Sequence, residues 1–422
     1  MSAEPALSPS FLRVNSVEGT PMVLDSHLDP TIQIAKRAPL TSSLAQPRSL
    51  FLTGATGFLG AYLLAELLQQ TEATIYCLVR AADTKTAQER LSSHLSSYGL
   101  WQDEWQARIV LVVGDLSKPR LGLTDAHFAD LADRLDGIYH NGAWVNVIYP
   151  YERLRATNVL GTQEMIRLAA MGKTKPLHYV SSLAIFLSDR YANQSVTEEL
   201  VPSFDPTLRG GYRQSKWVAE ALVRDAQARG LPAVIYRTGR ITGHSQTGIT
   251  GNLNDLLCMT LKACVELGCF PQVATQVELT PVDYVSRGIV QLSRRADVLG
   301  RTFHLCHPQA TEWVTLMEQI GELGYPMTGV SYSEWVAAVN AATIQQPKDR
   351  FYQQWRLLLR APIYLFAQDK PHDSSRATQE ALAPLRCPPI DQRLLATYFA
   401  WFQQVGYLVA PSFIRLPDYA TR

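Results

Sequence analysis

Almost no net charge, no long apolar run and no ordered cysteine pattern characterise this 422-residue chain. Its 39 Lys and Arg against 38 Asp and Glu leave a formal charge of +1. No electrostatic footprint therefore points to nucleic acid or to an acidic membrane. No apolar stretch approaches the ~20 residues of a membrane span, and the N-terminus has no signal-peptide pattern. The six cysteines, at positions 77, 258, 264, 269, 306 and 387, form no C-x-x-C and no evident disulfide framework. Cys258, Cys264 and Cys269 fall on or just after an apolar helical pattern, where a thiol packs as a small hydrophobe, so core packing is expected there and no metal. Reduced thiols in a cytoplasm are the simplest reading. Internal repeats and low-complexity tracts are also missing. With 46% hydrophobic and 18% charged residues, what remains is a soluble, cytoplasmic globular protein of one large or two modest domains.

Residues 1–46 carry many Pro, Ser and Thr and read as an N-terminal arm or linker, with a short ordered piece near Leu28-Asp29-Pro30-Thr31-Ile32. Then the pattern changes. Leu50-Phe51-Leu52 is an apolar run that meets Thr53-Gly54-Ala55-Thr56-Gly57-Phe58-Leu59-Gly60, and a helical pattern from Ala61 to about Gln70 stands behind it. A strand, a glycine turn and a helix N-terminus in that order make a site for a dinucleotide pyrophosphate. Glycine lets the backbone approach the phosphates, and the N–H groups of the first helical turn donate to them. Thr74–Val79 suits a buried parallel strand, ending at Arg80, twenty positions after Gly60. An acidic residue there would accept from the adenosine ribose of NAD, whereas a cation favours a 2′-phosphate. Arg90, in a helical stretch over 83–106, can approach the same phosphate. The expected cofactor is NADPH; the bland alternative for Arg80 is a solvated strand end.

Arg108 to Leu116 gives another strand ending in Gly114-Asp115-Leu116. Asp115 either accepts from the adenine amino group or caps the next turn. Gly137–Ala143 is a strand running into Asn141-Gly142-Ala143, a small-residue turn against which ribose and nicotinamide can lie. Asn158, within the next long helix, is expected to join a local helix hydrogen-bond network. Leu177–Val180 is a strand ending at Ser181-Ser182, and thirty residues beyond Ser182 stand Tyr212 and, four further on, Lys216. On a helix these two share one face. A Lys⁺ beside a phenol favours the phenolate and lowers the Tyr pKa, and the serine hydroxyl can orient a substrate oxygen with it. Asn252 is a candidate pocket group or a loop cap, Asp283 reads as an N-cap, and Thr302–Cys306 is the final strand. The expected fold is α/β, a Rossmann doubly wound parallel sheet over 47–310, with 240–280 partly substrate-side. A smaller, mainly helical C-terminal substrate domain covers 311–422.

These residues carry a resemblance. Thr53-Gly54-x-x-Gly57-x-x-Gly60, Asn141-Gly142-Ala143, Ser182, Tyr212 and Lys216 resemble the extended branch of the short-chain dehydrogenase/reductases. Gly54-Ala55-Thr56-Gly57-Phe58-Leu59-Gly60, Cys77-Leu78-Val79-Arg80, Tyr179-Val180-Ser181-Ser182 and Pro281-Val282-Asp283-Tyr284-Val285 are more specific. They resemble the terminal thioester reductase (R) domains of nonribosomal peptide synthetases and the reductase domains of carboxylic acid and aminoadipate reductases. The similarity is good over 48–310 and general in character beyond. The segment near Leu28-Asp29-Pro30 resembles the linker that follows a peptidyl carrier protein. Two departures stand out. Ser182 occupies a position often held by threonine, and Arg237-Thr238-Gly239 replaces Arg-Pro-Gly, which leaves open whether Arg237 contacts the cofactor.

The resemblance implies a substrate: an acyl or peptidyl thioester on the phosphopantetheine arm of a carrier protein. NADPH would deliver hydride, Ser182 and Tyr212 would bind the oxyanion, Tyr212 would donate the proton, and Lys216 would hold the nicotinamide ribose. An aldehyde leaves, and a second NADPH can take it to the alcohol. No carrier protein with its Gly-Gly-x-Ser and no adenylation domain lies within the sequence, so an excised domain or a discrete reductase acting in trans is expected. The rival readings are a nucleotide-sugar epimerase or dehydratase of the same branch and a non-catalytic NADP-binding sensor or scaffold.

Overall fold

The computed structural model describes residues 21–35, 44–346, 350–355, 366 and 371–411. Seven strands form its main sheet: β1 (Ser49–Thr53), β2 (Thr74–Val79), β3 (Ile109–Val113), β4 (Gly137–His140), β5 (Leu177–Ser182), β6 (Ala233–Thr238) and β7 (Thr302–Leu305). Their spatial order is β7-β6-β5-β4-β1-β2-β3, and every pairing is parallel. The order reverses between β1 and β4, which opens a crevice at their carboxyl ends, where ligands of such sheets bind. The register sets Thr53 opposite His140 and Ser182 opposite Thr238.

Helices cover both faces, as buried parallel strands require. They are α1 (Phe58–Gln70), α2 (Thr84–Ser97), α3 (Asp125–Arg134), α4 (Gly161–Ala170), α5 (Gly211–Ala228) and α7 (Val282–Ser293), while α6 (Leu256–Leu267) packs elsewhere. The first, α1, starts three residues earlier than the apolar pattern suggested because Gly57 serves as its N-cap. Asp83 caps α2 by accepting from Thr86 N–H at 2.7 Å. That helix stops well short of 106: Gly99 at φ +67° turns the chain, and a separate 3₁₀ segment, Asp103–Arg108, follows. One core packs α3, α4 and α5 against the sheet through Phe128, Met165, Ile166, Val218 and Leu222. The other face packs α1, α2 and α7 through Leu63, Leu67, Leu91, Val285 and Ile289.

A third core lies outside the sheet. It joins α6 to α8 (Trp313–Glu322), α9 (Tyr332–Gln345) and a later helix, α11 (Gln392–Gln404), around Trp313, Trp335 and Trp355. Cys258 and Cys264 are buried there, and no cluster of metal-ligating side chains occurs among the described residues. Between these helices the chain returns to the Rossmann unit. His372–Asp373 pairs with Ser195–Val196, and Leu382, at the end of α10 (Arg376–Leu382), is buried in the α1–α7 core. The stretch beyond 311 is thus divided between two cores.

The ordered piece of the N-terminal arm is fastened to the sheet side. Leu28 and Ile32 are buried, Asp25 holds Arg155 and Tyr151, and Asp29 pairs with Arg167 at 2.8 Å. Residues 1–20 and 36–43 of that arm lie outside the described residues. Asp283 is not the N-cap that the sequence suggested. Pro281 holds that position, and the Asp283 carboxylate instead accepts from Ser245 N–H at 2.8 Å and its hydroxyl at 2.7 Å.

The centre of the sheet contains a buried ion pair. Arg237 on β6 and Glu220 on α5 are both fully buried and meet at 2.8 Å. Ser181 donates to Glu220 at 2.6 Å, and Arg237 also donates to Leu200 C=O at 2.8 Å and faces His304 Nε2 at 3.1 Å. Burial opposes ionisation of Glu220, but Arg237 and Arg224 bring it down to about 2. Arg237 is therefore part of the core and does not line the cavity that its neighbour Thr238 borders. Removing one partner of such a pair leaves an uncompensated buried charge. Arg237→Met should cost about 3–5 kcal/mol in urea denaturation, with much of it regained in the Glu220→Gln/Arg237→Met double variant. A loss below about 1 kcal/mol in the single variant would show that the pair does not hold the sheet to α5.

Candidate functional site

At the crevice the glycine turn is shaped by the absence of side chains. Gly54 sits at φ +78°, and a Cβ there would stand 2.8 Å from Gly142 Cα. A Cβ on Gly60 would lie 1.8 Å from the Gly54 carbonyl oxygen, so α1 packs against the turn only because that position is glycine. Gly57 N–H closes the turn on Gly54 C=O at 2.9 Å, and no side chain caps the first turn of α1. Such an arrangement offers backbone N–H groups to an anion. The cavity above it, about 660 Å³, is lined by Gly54, Thr56, Gly57, Phe58 and Leu59 at one end. Val180, Ser181, Tyr212, Lys216 and Thr238 line the other.

Thr53 and Gly60 do not line this cavity. Thr53 supports it from below: its hydroxyl accepts from Gly142 N–H at 2.9 Å and meets His140 Nδ1 at 2.8 Å. His140 Nε2 meets the Thr162 hydroxyl at 2.9 Å, and Thr162 donates to Asn158 C=O at 2.7 Å. With the Thr162 proton committed, its oxygen accepts from Nε2–H, which leaves Nδ1 to accept from Thr53. Burial and the Lys216 charge push His140 down to about 3, so it stays neutral. Asn158 is more than the local helix bond expected of it. Its side chain takes Trp144 N–H at 2.7 Å and donates to Trp144 C=O at 3.1 Å and Ser215 Oγ at 2.9 Å. Ser215 in turn donates to Tyr212 C=O at 2.8 Å. One chain of hydrogen bonds thus links the glycine turn to the start of α5.

At the carboxyl end of β2, Arg80 and Arg90 both line the cavity, and Arg90 Nη1 donates to Arg80 C=O at 2.6 Å. Asp115 caps its own turn, accepting from Ser117 N–H and hydroxyl, each at 2.8 Å. Desolvation works against it, yet these bonds and the Arg80 and Lys118 charges hold its carboxyl below the usual range. Leu116 packs beneath the small-residue turn: a Cβ on Gly142 would stand 2.7 Å from its Cδ1. Gly142 and Ala143 line the cavity beside Asn141. Asn252 both lines the cavity and closes its loop by accepting from Asn254 N–H at 2.9 Å.

Of the three residues expected to do chemistry, Tyr212 and Lys216 line the cavity, whereas Ser182 does not and meets Tyr212 instead. Ser182 hydrogen-bonds the Tyr212 side chain while accepting from Ala184 N–H at 3.2 Å. Lys216 Nζ donates to Val180 C=O at 2.6 Å and lies 4.3 Å from the Tyr179 ring centroid. Desolvation pushes Tyr212 up to about 12, the Ser182 bond opposing it, and pulls Lys216 down to about 7. This departs from the expectation that Lys216 lowers the phenol: removal from water dominates both groups. Tyr212 is therefore a neutral phenol near neutral pH, the form that donates a proton.

A doubly wound sheet with this turn and this triad defines an extended short-chain dehydrogenase/reductase that binds NAD(P). The profile of the NAD_binding_4 family, described as male sterility protein, matches residues 52–289. The crystal structure of the terminal R domain from the myxalamid PKS-NRPS biosynthetic pathway superposes with a TM-score of 0.85 at 42% identity. That match covers 92% of this chain and 98% of the other. A linear gramicidin synthase of Brevibacillus parabrevis is 39% identical over 390 residues, 90% of this chain and 8% of that protein. The L-2-aminoadipate reductase of Penicillium chrysogenum is 32% identical, in its larger polypeptide, over 428 residues, 92% of this chain and 30% of that protein. The chain belongs to the male sterility protein family and, within it, to the terminal reductase domains of nonribosomal peptide synthetases. It spans well under half of the curated relatives it matches.

Sequence reasoning missed Glu220, His140 and Thr162 as supports of this site. Only Glu220 carried a signal, standing one helical turn beyond Lys216. The glycine packing has a direct test. Gly60→Ala forces Gly54 to move, with strain of about 1–3 kcal/mol, and NADPH binding followed by fluorescence should weaken by about tenfold or more. An unchanged Kd would mean that the turn does not form the cofactor cradle.

Proposed function

We propose that this chain reductively releases a carrier-bound acyl or peptidyl thioester as an aldehyde, using NADPH, with the alcohol as the product of a second reduction. The observation that carries this reading is that Tyr212, hydrogen-bonded to Ser182, and Lys216 line the same cavity as the glycine turn and Arg80. The residues fit the cofactor. The Gly54–Gly60 turn and the α1 N-terminus would hold the pyrophosphate, and Arg80 with Arg90 the 2′-phosphate. Asp115 and Leu116 would border the adenine. Asn141, Gly142, Ala143 and Lys216 would lie along the nicotinamide riboside.

Bound NADPH supplies the two electrons and the hydrogen that the thioester carbon takes up. The protein's own groups handle the oxygen. The Ser182 and Tyr212 hydroxyls, which hydrogen-bond each other, would both turn to the developing oxyanion. The Tyr212 phenol then transfers its proton to that oxygen. The Lys216 ammonium, held by Val180 C=O, stabilises the tyrosinate left behind. Collapse of the hemithioacetal breaks the C–S bond and returns the proton to sulfur, giving thiol and aldehyde. Likeness to the terminal reductase domains of nonribosomal peptide synthetases supports a peptidyl or acyl carrier protein with its phosphopantetheine arm as partner. A Rossmann unit over 47–310, to which 372–382 returns, and a substrate unit formed by the rest of 311–422, with 240–280 contributing to the latter, is the proposed division of labour. No helix among the described residues is long and apolar enough to cross a membrane.

Three outcomes test this reading. Tyr212→Phe should abolish thioester-dependent NADPH oxidation and leave NADPH binding largely intact; retained turnover would remove Tyr212 as the acid. Arg80→Ala should weaken NADPH far more than NADH, and equal losses would remove the phosphate clamp. Lys216 is charged below about 7 and neutral above it, so kcat/KM should fall as pH rises through that region and the fall should flatten in Lys216→Arg. A wild-type profile flat across neutral pH would contradict the role given to its charge.

A further inference from the structure

The loop after β4 exposes an unusual run of apolar side chains. Trp144 is 42% exposed, Val145 65%, Val147 53% and Ile148 64%. Among the described residues these are four of eleven large exposed hydrophobics, and they fall within five consecutive positions. Single exposed apolar residues are ordinary, but a contiguous cluster marks a surface that binds something. The loop is firmly built. Asn158 clamps both backbone groups of Trp144. Asn146 Oδ1 accepts from Ile148 N–H at 2.9 Å and Tyr149 N–H at 2.8 Å, and the Trp144 ring meets Tyr149 edge-on at 5.3 Å. These bonds hold the apolar side chains in water instead of folding them inward.

Its position names the occupant. Ala143, Trp144 and Val145 line the cavity that holds Tyr212 and Lys216, so the loop forms part of the cavity rim. A thioester on a tethered arm reaches Tyr212 only when the protein carrying the arm sits at that rim. The arm joins its carrier through a phosphodiester, an anion. Cations flank the loop: Arg153 lies 5.6 Å from the Tyr149 ring centroid. Exposed Arg209 leads into Gly211, which abuts Tyr149 and Pro150. One exposed carboxylate, Glu152, stands among them.

We infer that the Trp144–Ile148 loop is the docking surface for the carrier protein: an apolar face of the carrier seats on Val147 and Ile148 while Arg153 and Arg209 meet the phosphodiester. This rests on the thioester-reduction reading above. The test compares one acyl group presented in two ways, on a phosphopantetheinylated peptidyl carrier domain and on free pantetheine, with wild type and the Val147→Glu/Ile148→Glu variant. Wild type should favour the carrier-borne substrate. The variant should raise KM for it by about tenfold and leave kcat/KM for the pantetheine thioester within about twofold of wild type. Equal effects on both substrates, no effect on either, or no wild-type preference for the carrier would overturn the assignment. So would wild-type self-association that the variant abolishes while the carrier KM stays unchanged, since the occupant would then be a second copy of this chain. Wild-type turnover of neither substrate would instead bring down the reduction reading on which the docking rests.

Discussion

Glu220 and Arg237 anchor the helix on which the proposed chemistry depends. Tyr212 and Lys216 lie in the first and second turns of α5, and Glu220 lies one turn beyond Lys216, where it is tied to β6 by Arg237 and to β5 by Ser181. Ser181 precedes Ser182, so the same carboxylate that fixes the helix also fixes the strand end bearing the serine. An isolated buried pair gives little stability over an apolar substitute, because desolvation offsets attraction. Here the pair fixes geometry: two elements cannot slide past each other without leaving charges unpaired. His304 completes the arrangement, with Arg237 on one ring nitrogen and Ser374 C=O 2.7 Å from the other. Burial and the Arg237 charge press its pKa down to about 3, which keeps it neutral.

A second constraint ties the cofactor end to the catalytic end. From Gly142 N–H through Thr53, His140 and Thr162 to Asn158 C=O, each hydroxyl donates once and accepts once, so the hydrogen bonds run in one direction. The Asn158 side chain then carries the connection to Ser215 and so to the backbone of Tyr212. Four segments separate in sequence are thereby held to one arrangement around the cavity. Asn158, bonded to both the β4 loop and α5, lies in a π-helical turn, Ala156–Leu160, and such turns recur at functional sites.

Much of this was legible because parallel strands between helices leave strong periodic signals. The strands β1, β2, β5 and β6 follow apolar runs visible in the sequence, and the glycine spacing of the turn has a single geometric meaning once Gly60 is seen to abut Gly54. The order of Ser182, Tyr212 and Lys216 marked the end where the chemistry is proposed. What the sequence concealed were the long-range partners. Nothing in a lone His140 distinguishes a cofactor contact from a buried relay, and Arg237 at a strand end reads equally as ligand or ion pair. Asp283 has the spacing of a cap, yet its partner is Ser245. Lys216 illustrates a different limit: spacing put it beside the phenol, but desolvation, which depends on everything packed around it, decides its charge. The chain beyond 311 was the least readable, since its helices are divided between two cores in a way no local pattern records.

Hydrogen from the cofactor must end on the acyl carbon while the thiol leaves, and on this the whole mechanism stands. Supplying the protein with NADPH deuterated at C4 and an acyl pantetheine thioester, and following the products by mass spectrometry, tests it most directly. The expected product is a deuterated aldehyde, or an alcohol where the second reduction follows, with one free thiol per acyl group released and NADPH consumed to match. Release of the free acid, or of an unlabelled cyclised product without NADPH consumption, would contradict it.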